Sequence, residues 1–224
     1  MTLTLPEEIL LLMLDDESGH NKAGLPSYLT SGAALADLVF KGVLTTTGEK
    51  KKARFAFVDG AEEPDDNYLR AVIAILREKG VSAHPRDVVS RLANKRVLMN
   101  LLRDGLVQRG VLKRETKKIL FFFTQTTYPT LDPAPERALK DRLRTALFTS
   151  GPVAPEDAVL ITLAQAGGAL RRNFDKAELK ERKARIKEIT SGDNVAAGAT
   201  KAAIEALQAA ILVTTIIPAT VATT

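Results

Sequence analysis

Apolar positions along this chain switch between helical spacing and short extended runs. At the start, LTLPEEILLLML puts Pro6, Glu7 and Glu8 ahead of an apolar run. Proline suits the first turn of a helix and acidic side chains suit its positive end, so the pattern predicts a helix over residues 6–14. DDESGHNKAG reads as a loop, and a second helix over residues 27–41 carries Leu35, Leu38 and Val39. GVLTTTGEKKKARFAFVDG follows as a hairpin with Gly48 in its turn. Its second strand sets Phe55 and Phe57 on one side and Arg54, Ala56 and Val58 on the other, so one face is expected to bury.

The same order then returns. LVFKGVL at residues 38–44 is matched by LVQRGVL at residues 106–112, and each is followed by a basic turn and a Phe-rich strand. Both read as a helix, a glycine stop and a hairpin. Before the second unit, HPRDVVSRLANKRVLMNLLRDGL places Pro85 at one helix start and Asn94 as the expected cap of the next. With Leu98, Leu101 and Leu102 inward, helical spacing puts Arg96, Asn100 and Arg103 on the outer face. Asp65 and Asp66 mark another helix start.

A proline-rich connector, YPTLDPAPERAL, leads into a helix over residues 135–148. The next helix, over residues 155–170, is nearly all apolar and should be central; Gly167 and Gly168 at its end read as close packing or termination. FDKAELKERKARIKEI is a charged amphipathic helix with Leu179, Ile186 and Ile189 inward, and an alanine-rich helix closes the chain. No break in composition divides these elements. The fold class is mainly α: a compact helical single domain over residues 1–224, with two β-hairpins that follow winged-helix-like helical units.

One stretch raises a functional question. In VLKRETKKILFFFTQTTYP, Lys117 and Lys118 precede five large apolar side chains, Ile119, Leu120, Phe121, Phe122 and Phe123. Successive strand residues point to opposite sides, so this strand is apolar on both. Its second face needs cover from the rest of the chain, a second copy or a membrane.

Charge narrows the choice. The net charge is +5 and the pI about 9.4. Nine Lys/Arg (positions 91, 95, 96, 103, 109, 113, 114, 117 and 118) stand between residues 91 and 118 against only Asp104 and Glu115. That imbalance favours an anionic partner.

Enzyme chemistry finds no support. There is no cysteine and there are two histidines, which closes off disulfides, thiol redox chemistry and nitrogen–sulfur metal sites. His20 near Asp15 and Asp16 reads as a polar loop, and no glycine-rich phosphate loop occurs. No catalytic residue, metal or cofactor is expected. The N-terminal apolar run lacks a basic flank and a cleavage site, so it is not read as a signal peptide. The apolar run at residues 206–217 falls short of the roughly 20 residues that span a bilayer and reads as a core helix.

Three binding readings remain. Cations beside a two-sided apolar strand suit an anionic membrane surface. A self-associating protein scaffold accounts for the strand without lipid. The helix, helix and hairpin order also suits winged-helix nucleic-acid binding, although a DNA-touching wing has little use for so apolar a strand.

LTLPEEILLLMLDDESG, SGAALADLVFKGVL, KRVLMNLLRDGLVQRGVLKRETKKILFFFTQTTYP and AVLITLAQAGGALRRNF occur in order along nearly the whole chain. Together they resemble the Golgi phosphoprotein three family, in a bacterial-type member. The resemblance implies a peripheral adaptor on the cytosolic face of membranes that binds phosphatidylinositol-4-phosphate and the cytoplasmic tails of membrane proteins. It also implies oligomerisation through a hairpin at residues 115–126. Of the family's lipid pocket, two arginines three apart fall on Arg96 and Met99, a third arginine falls on Ser31, and the tryptophan has no counterpart. Lys95, Arg103 and Lys41 stand nearby as replacement cations. Each missing charge-assisted hydrogen bond costs about 1.5–3 kcal/mol, which weakens the expected headgroup specificity.

Overall fold

The computed structural model describes residues 2–21, 24–48, 52–119 and 123–192, with backbone alone at Ile119 and Phe123. Leu120, Phe121, Phe122 and the expected C-terminal helix lie outside the described residues.

Helix α1 (Leu5–Met13) is buried along its whole length, as a helix apolar on every side must be. It packs on α2 (Pro26–Phe40) and α7 (Pro155–Ala166), which also touch each other, so these three helices form the centre of the fold. The polar first turn of α1 is therefore inside the protein as well. Glu7 is almost fully buried, accepts a hydrogen bond from the Thr4 N–H at 2.8 Å and pairs with Arg109. Glu8 takes both terminal nitrogens of Arg142 at 2.9 Å, while the Arg142 Nε reaches Asp157 at 2.6 Å. From α2, Asp37 accepts the Leu5 N–H at 3.0 Å. Burial pushes the Glu8, Asp37 and Asp157 carboxyls upward, opposed by Arg142 and Lys41.

The repeat seen in the sequence is also a repeat of hydrogen bonds. At the end of α2, the Gly42 N–H reaches the Val39 carbonyl at 3.0 Å and the Val43 N–H reaches that of Leu38 at 2.9 Å. Where α5 (Arg96–Gln108) ends, Gly110 reaches Val107 at 3.0 Å and Val111 reaches Leu106 at 2.9 Å. Both glycines have positive φ, 69° and 70°, so each helix is closed by the same left-handed stop. An antiparallel pair follows each stop: β1 (Leu44–Thr47) with β2 (Arg54–Phe57), and β3 (Glu115–Ile119) with β4 (Phe123–Thr127).

Between the units lie α3 (Asn67–Lys79) and α4 (Pro85–Ala93). Asp66 caps α3 by accepting the Leu69 N–H at 2.8 Å, as the paired aspartates suggested. Asn94 does not cap α5. It ends α4, donating its backbone N–H to Ser90, and Lys95 holds the N-cap position of α5 without a side-chain cap bond. After α6 (Ala134–Phe148) and α7, a turn at Gly167 and Gly168 leads to the short α8 (Leu170–Asn173). A methyl group on Gly167 would meet Leu29 Cδ1 at 2.2 Å, so this glycine both stops α7 and admits α2. The charged amphipathic segment is two helices rather than one, α9 (Lys176–Glu181) and α10 (Lys183–Ser191), broken at Arg182. Leu179, Ile186 and Ile189 are buried as the spacing predicted.

Candidate functional site

Of the positions implied by the resemblance, Ser31 and Met99 meet in space and Arg96 does not join them. Ser31 from α2, Lys95 at the start of α5 and Met99 one turn further on share a small corner with Ser27, Thr30, Tyr68, Leu92, Ala93 and Leu98. This corner leaves no room for a water molecule. Ser31 is 2 % exposed and its hydroxyl donates to the Ser27 carbonyl at 2.7 Å; Met99 belongs to the apolar core. Tyr68, which the sequence reading missed, is 3 % exposed, and its hydroxyl has no well-formed partner beside Thr30 and Ser31. The Thr30 hydroxyl is committed to the Pro26 carbonyl at 2.9 Å. Burial raises the Tyr68 pKa, which keeps the phenol protonated and available as a donor. Lys95 is exposed at the edge of the corner, and Arg96 is exposed outside it.

The nine cations of residues 91–118 prove unequal. Arg91 donates to the Lys79 and Gly80 carbonyls at 3.0 and 2.5 Å, closing the end of α3. Arg109 pairs with Glu7, and Arg114 with Asp104. Glu115 draws Lys113 at 2.6 Å and Lys117 at 3.9 Å. Arg103, expected on the outer face of α5, instead lies across the Tyr128 ring at 5.1 Å, where burial lowers its pKa. Arg114 covers the same ring at 5.7 Å. Leu101, expected inward, is only half-buried, unlike Leu98 and Leu102. Among the described residues, Lys95, Arg96 and Lys118 form no ion pair. The raw charge count therefore overstates the attraction available to a partner.

The second hairpin stands out from the body. Thr116, Lys117 and Lys118 on β3 and Thr124, Gln125 and Thr126 on β4 are all exposed, so both faces of its stem meet solvent. Its base is fastened instead. The Tyr128 side chain is buried, the Thr130 N–H reaches the Asp16 carbonyl at 2.9 Å, and Gly19 sits so close to Tyr128 that a methyl group would meet its backbone at 2.3 Å. Ile119 pairs with Phe123 at the outer end of the ladder. Lys117 and Lys118 thus stand at the root of the apolar run.

Elsewhere, no group of three or more His, Cys, Asp or Glu side chains among the described residues is placed to share a metal ion. No helix among them is long and apolar enough to cross a membrane.

Comparison with known proteins places the chain in a family. The Golgi phosphoprotein 3 (GPP34) family profile matches residues 5–207. Vacuolar protein sorting-associated protein 74 of Schizosaccharomyces pombe is 28 % identical over 164 residues, 65 % of this chain and 48 % of its own length. The protein of the same name from Eremothecium gossypii is 25 % identical over 169 residues, 65 % of this chain and 49 % of its own. The aligned region thus spans about half the length of these relatives. On the match across nearly its whole length, the chain belongs to the Golgi phosphoprotein 3 (GPP34) family.

Proposed function

We propose that this protein is a non-enzymatic adaptor that attaches peripherally to the cytosolic face of anionic membranes through the start of α5 and the β3–β4 ribbon. The observation that carries this reading is the ribbon itself. It is exposed on both faces of its stem, carries Lys117 and Lys118, and leads into the apolar run at residues 119–123. Lys95, Arg96 and Lys118 supply the uncommitted charge, at about 1 kcal/mol per surface-bound cation. Three such contacts give weak, reversible attachment, so apolar insertion or a second copy is needed for residence on a membrane.

A corner without room for water, with Met99 and Ser31 where cations would serve, favours recognition of general negative charge over phosphatidylinositol-4-phosphate. The Tyr68 hydroxyl and Lys95 would greet a phosphate only if Met99 moved aside. Nucleic-acid binding is disfavoured because Arg103, one of its expected readers, is spent on Tyr128. Cytoplasmic tails of membrane proteins remain the proposed clients.

Flotation with neutral, generally anionic and phosphatidylinositol-4-phosphate vesicles across a salt series tests the proposal. Binding to both anionic compositions that fades with salt is expected; indifference to all vesicles would leave the scaffold reading, and steep salt-dependent DNA binding the nucleic-acid one. Homo-oligomerisation through the ribbon has its own test. Phe122→Ser should lower the mass measured by light scattering while leaving circular dichroism unchanged, and an unchanged mass would contradict it.

A further inference from the structure

A groove of about 560 Å³ runs between α8, α9 and α10, helices that the membrane reading does not use. Leu179 and Ile186 form its floor, and Arg171, Lys176, Lys180, Lys183 and Lys187 form its rim. All five cations are exposed, and none forms an ion pair among the described residues. Among the described residues, no carboxylate lines the groove. Of the nearby acids, Glu178 holds Arg144 through two bonds of 3.1 Å, Glu188 holds Arg185 at 3.1 Å, Asp175 caps α9, and Glu181 lies outside the lining. Five like charges around one groove repel one another, and an anionic occupant relieves that repulsion.

Spacing narrows the kind of anion. Lys176 and Lys180 are four apart on α9, and Lys183 and Lys187 are four apart on α10. At about 1.5 Å per residue, each pair repeats about every 6 Å, the repeat of carboxylates at i and i+4 on a facing helix. The floor narrows it further, because a sugar-phosphate backbone or a headgroup layer has nothing apolar to set on Leu179 and Ile186, whereas an amphipathic helix does. The chain's own residues after 192 fit the rim poorly. They carry Asp193 and Glu205 against Lys201, a net of one negative charge facing five positive ones.

We propose that the groove of α8, α9 and α10 docks an acidic amphipathic helix of a partner protein, with carboxylates on the basic rim and apolar side chains on Leu179 and Ile186. The test is fluorescence anisotropy of the full chain with a synthetic helical peptide bearing Glu at i and i+4 beside a leucine face. The comparison peptide has the same composition scrambled off that pattern.

The patterned peptide should bind at low salt, weaken as salt rises, and exceed the scrambled one by about tenfold or more. Lys180→Glu with Lys187→Glu should remove about tenfold or more of that affinity, while Arg96→Gln leaves it unchanged. Both lysines are exposed, so the double variant should keep its melting temperature; if it does not, Lys180→Gln and Lys187→Gln singly repeat the measurement. Equal binding of the two peptides, or binding unaltered by the lysine variants, would overturn the proposal. So would absence of peptide binding, which would assign the floor to residues after 192, or loss of vesicle binding alone in the double variant, which would assign the rim to a membrane.

Discussion

Helices α2 and α5 end through the same hydrogen bonds, yet the hairpins they launch have opposite fates. In the first, Leu44 and Phe57 are cross-strand partners, Thr46 faces Phe55, and Leu44 and Phe55 are each 1 % exposed. One apolar face is enough to lay the ribbon against the core. In the second, Lys117 opposes Gln125 and Lys118 opposes Thr124, so the stem offers no apolar face on either side and projects. The local stop sets where a chain turns, and the alternation of the next few side chains decides whether the turn is absorbed or displayed.

The largest break in that comparison should come from the buried hairpin. Phe55→Ala removes a fully buried ring and is expected to cost about 3–5 kcal/mol in chemical denaturation. A cost below about 1 kcal/mol would mean that β1 and β2 do not belong to the core.

The attachment of the second ribbon carries a pH signature. Glu136, buried at the start of α6 beside Asp16 and Lys140, has its carboxyl pushed up to about 7, chiefly by burial, then by the Asp16 hydrogen bond, against Lys140. Asp16 also holds Thr130, just past β4. The folded state keeps this proton more tightly than the unfolded chain does. Its stabilisation is therefore full below the ordinary value of 4.5 and is lost as pH rises through about 7. Denaturation midpoints should fall between pH 5 and pH 8 by an equivalent of about 2 kcal/mol. Glu8, Asp37 and Asp157 shift in the same direction, so Glu136→Gln should flatten the slope without abolishing it; an unchanged slope would remove Glu136 from the account.

Smaller but sharper is a paired substitution at the two stops. A methyl group meets nothing within 4 Å at either Gly42 or Gly110, so alanine there costs only the left-handed backbone, about 1 kcal/mol at each. Equal losses would show that the stops are one device used twice, and clearly unequal losses that tertiary packing has made them different. Lys118→Gln should change stability by less than about 0.5 kcal/mol, since it touches only the exposed stem.

Much of the fold was legible because its strongest signals are local. Periodicity placed the central α7, the pattern Gly-Val-Leu exposed the repeated stop, and Asp66 announced α3. Asn94 misled because a good cap residue also suits the end of a helix, and that position closes α4 before Lys95 opens α5. The split at Arg182 was hidden by an apolar spacing that runs through both helices.

The candidate site was less legible. A count of cations says nothing about where each one lands, and the fates of Arg91, Arg103, Arg109 and Arg114 depend on Gly80, Tyr128, Glu7 and Asp104, all set by tertiary packing. Tyr68 and its unpartnered hydroxyl gave no signal beyond one aromatic residue near a helix start. Met99, singled out only through the resemblance, lies with Leu98 and Leu102 on the buried side of α5, a place that helical spacing was not used to assign.

On the proposed function, membrane attachment rests on Lys95, Arg96 and Lys118, the cations of residues 91–118 that form no ion pair among the described residues. Vesicle flotation of a Lys95→Gln, Arg96→Gln and Lys118→Gln triple variant on anionic liposomes at low salt tests it most directly. At about 1 kcal/mol per cation, binding should fall by at least about tenfold with the melting temperature unchanged. Vesicle binding equal to that of the unaltered chain would contradict the account.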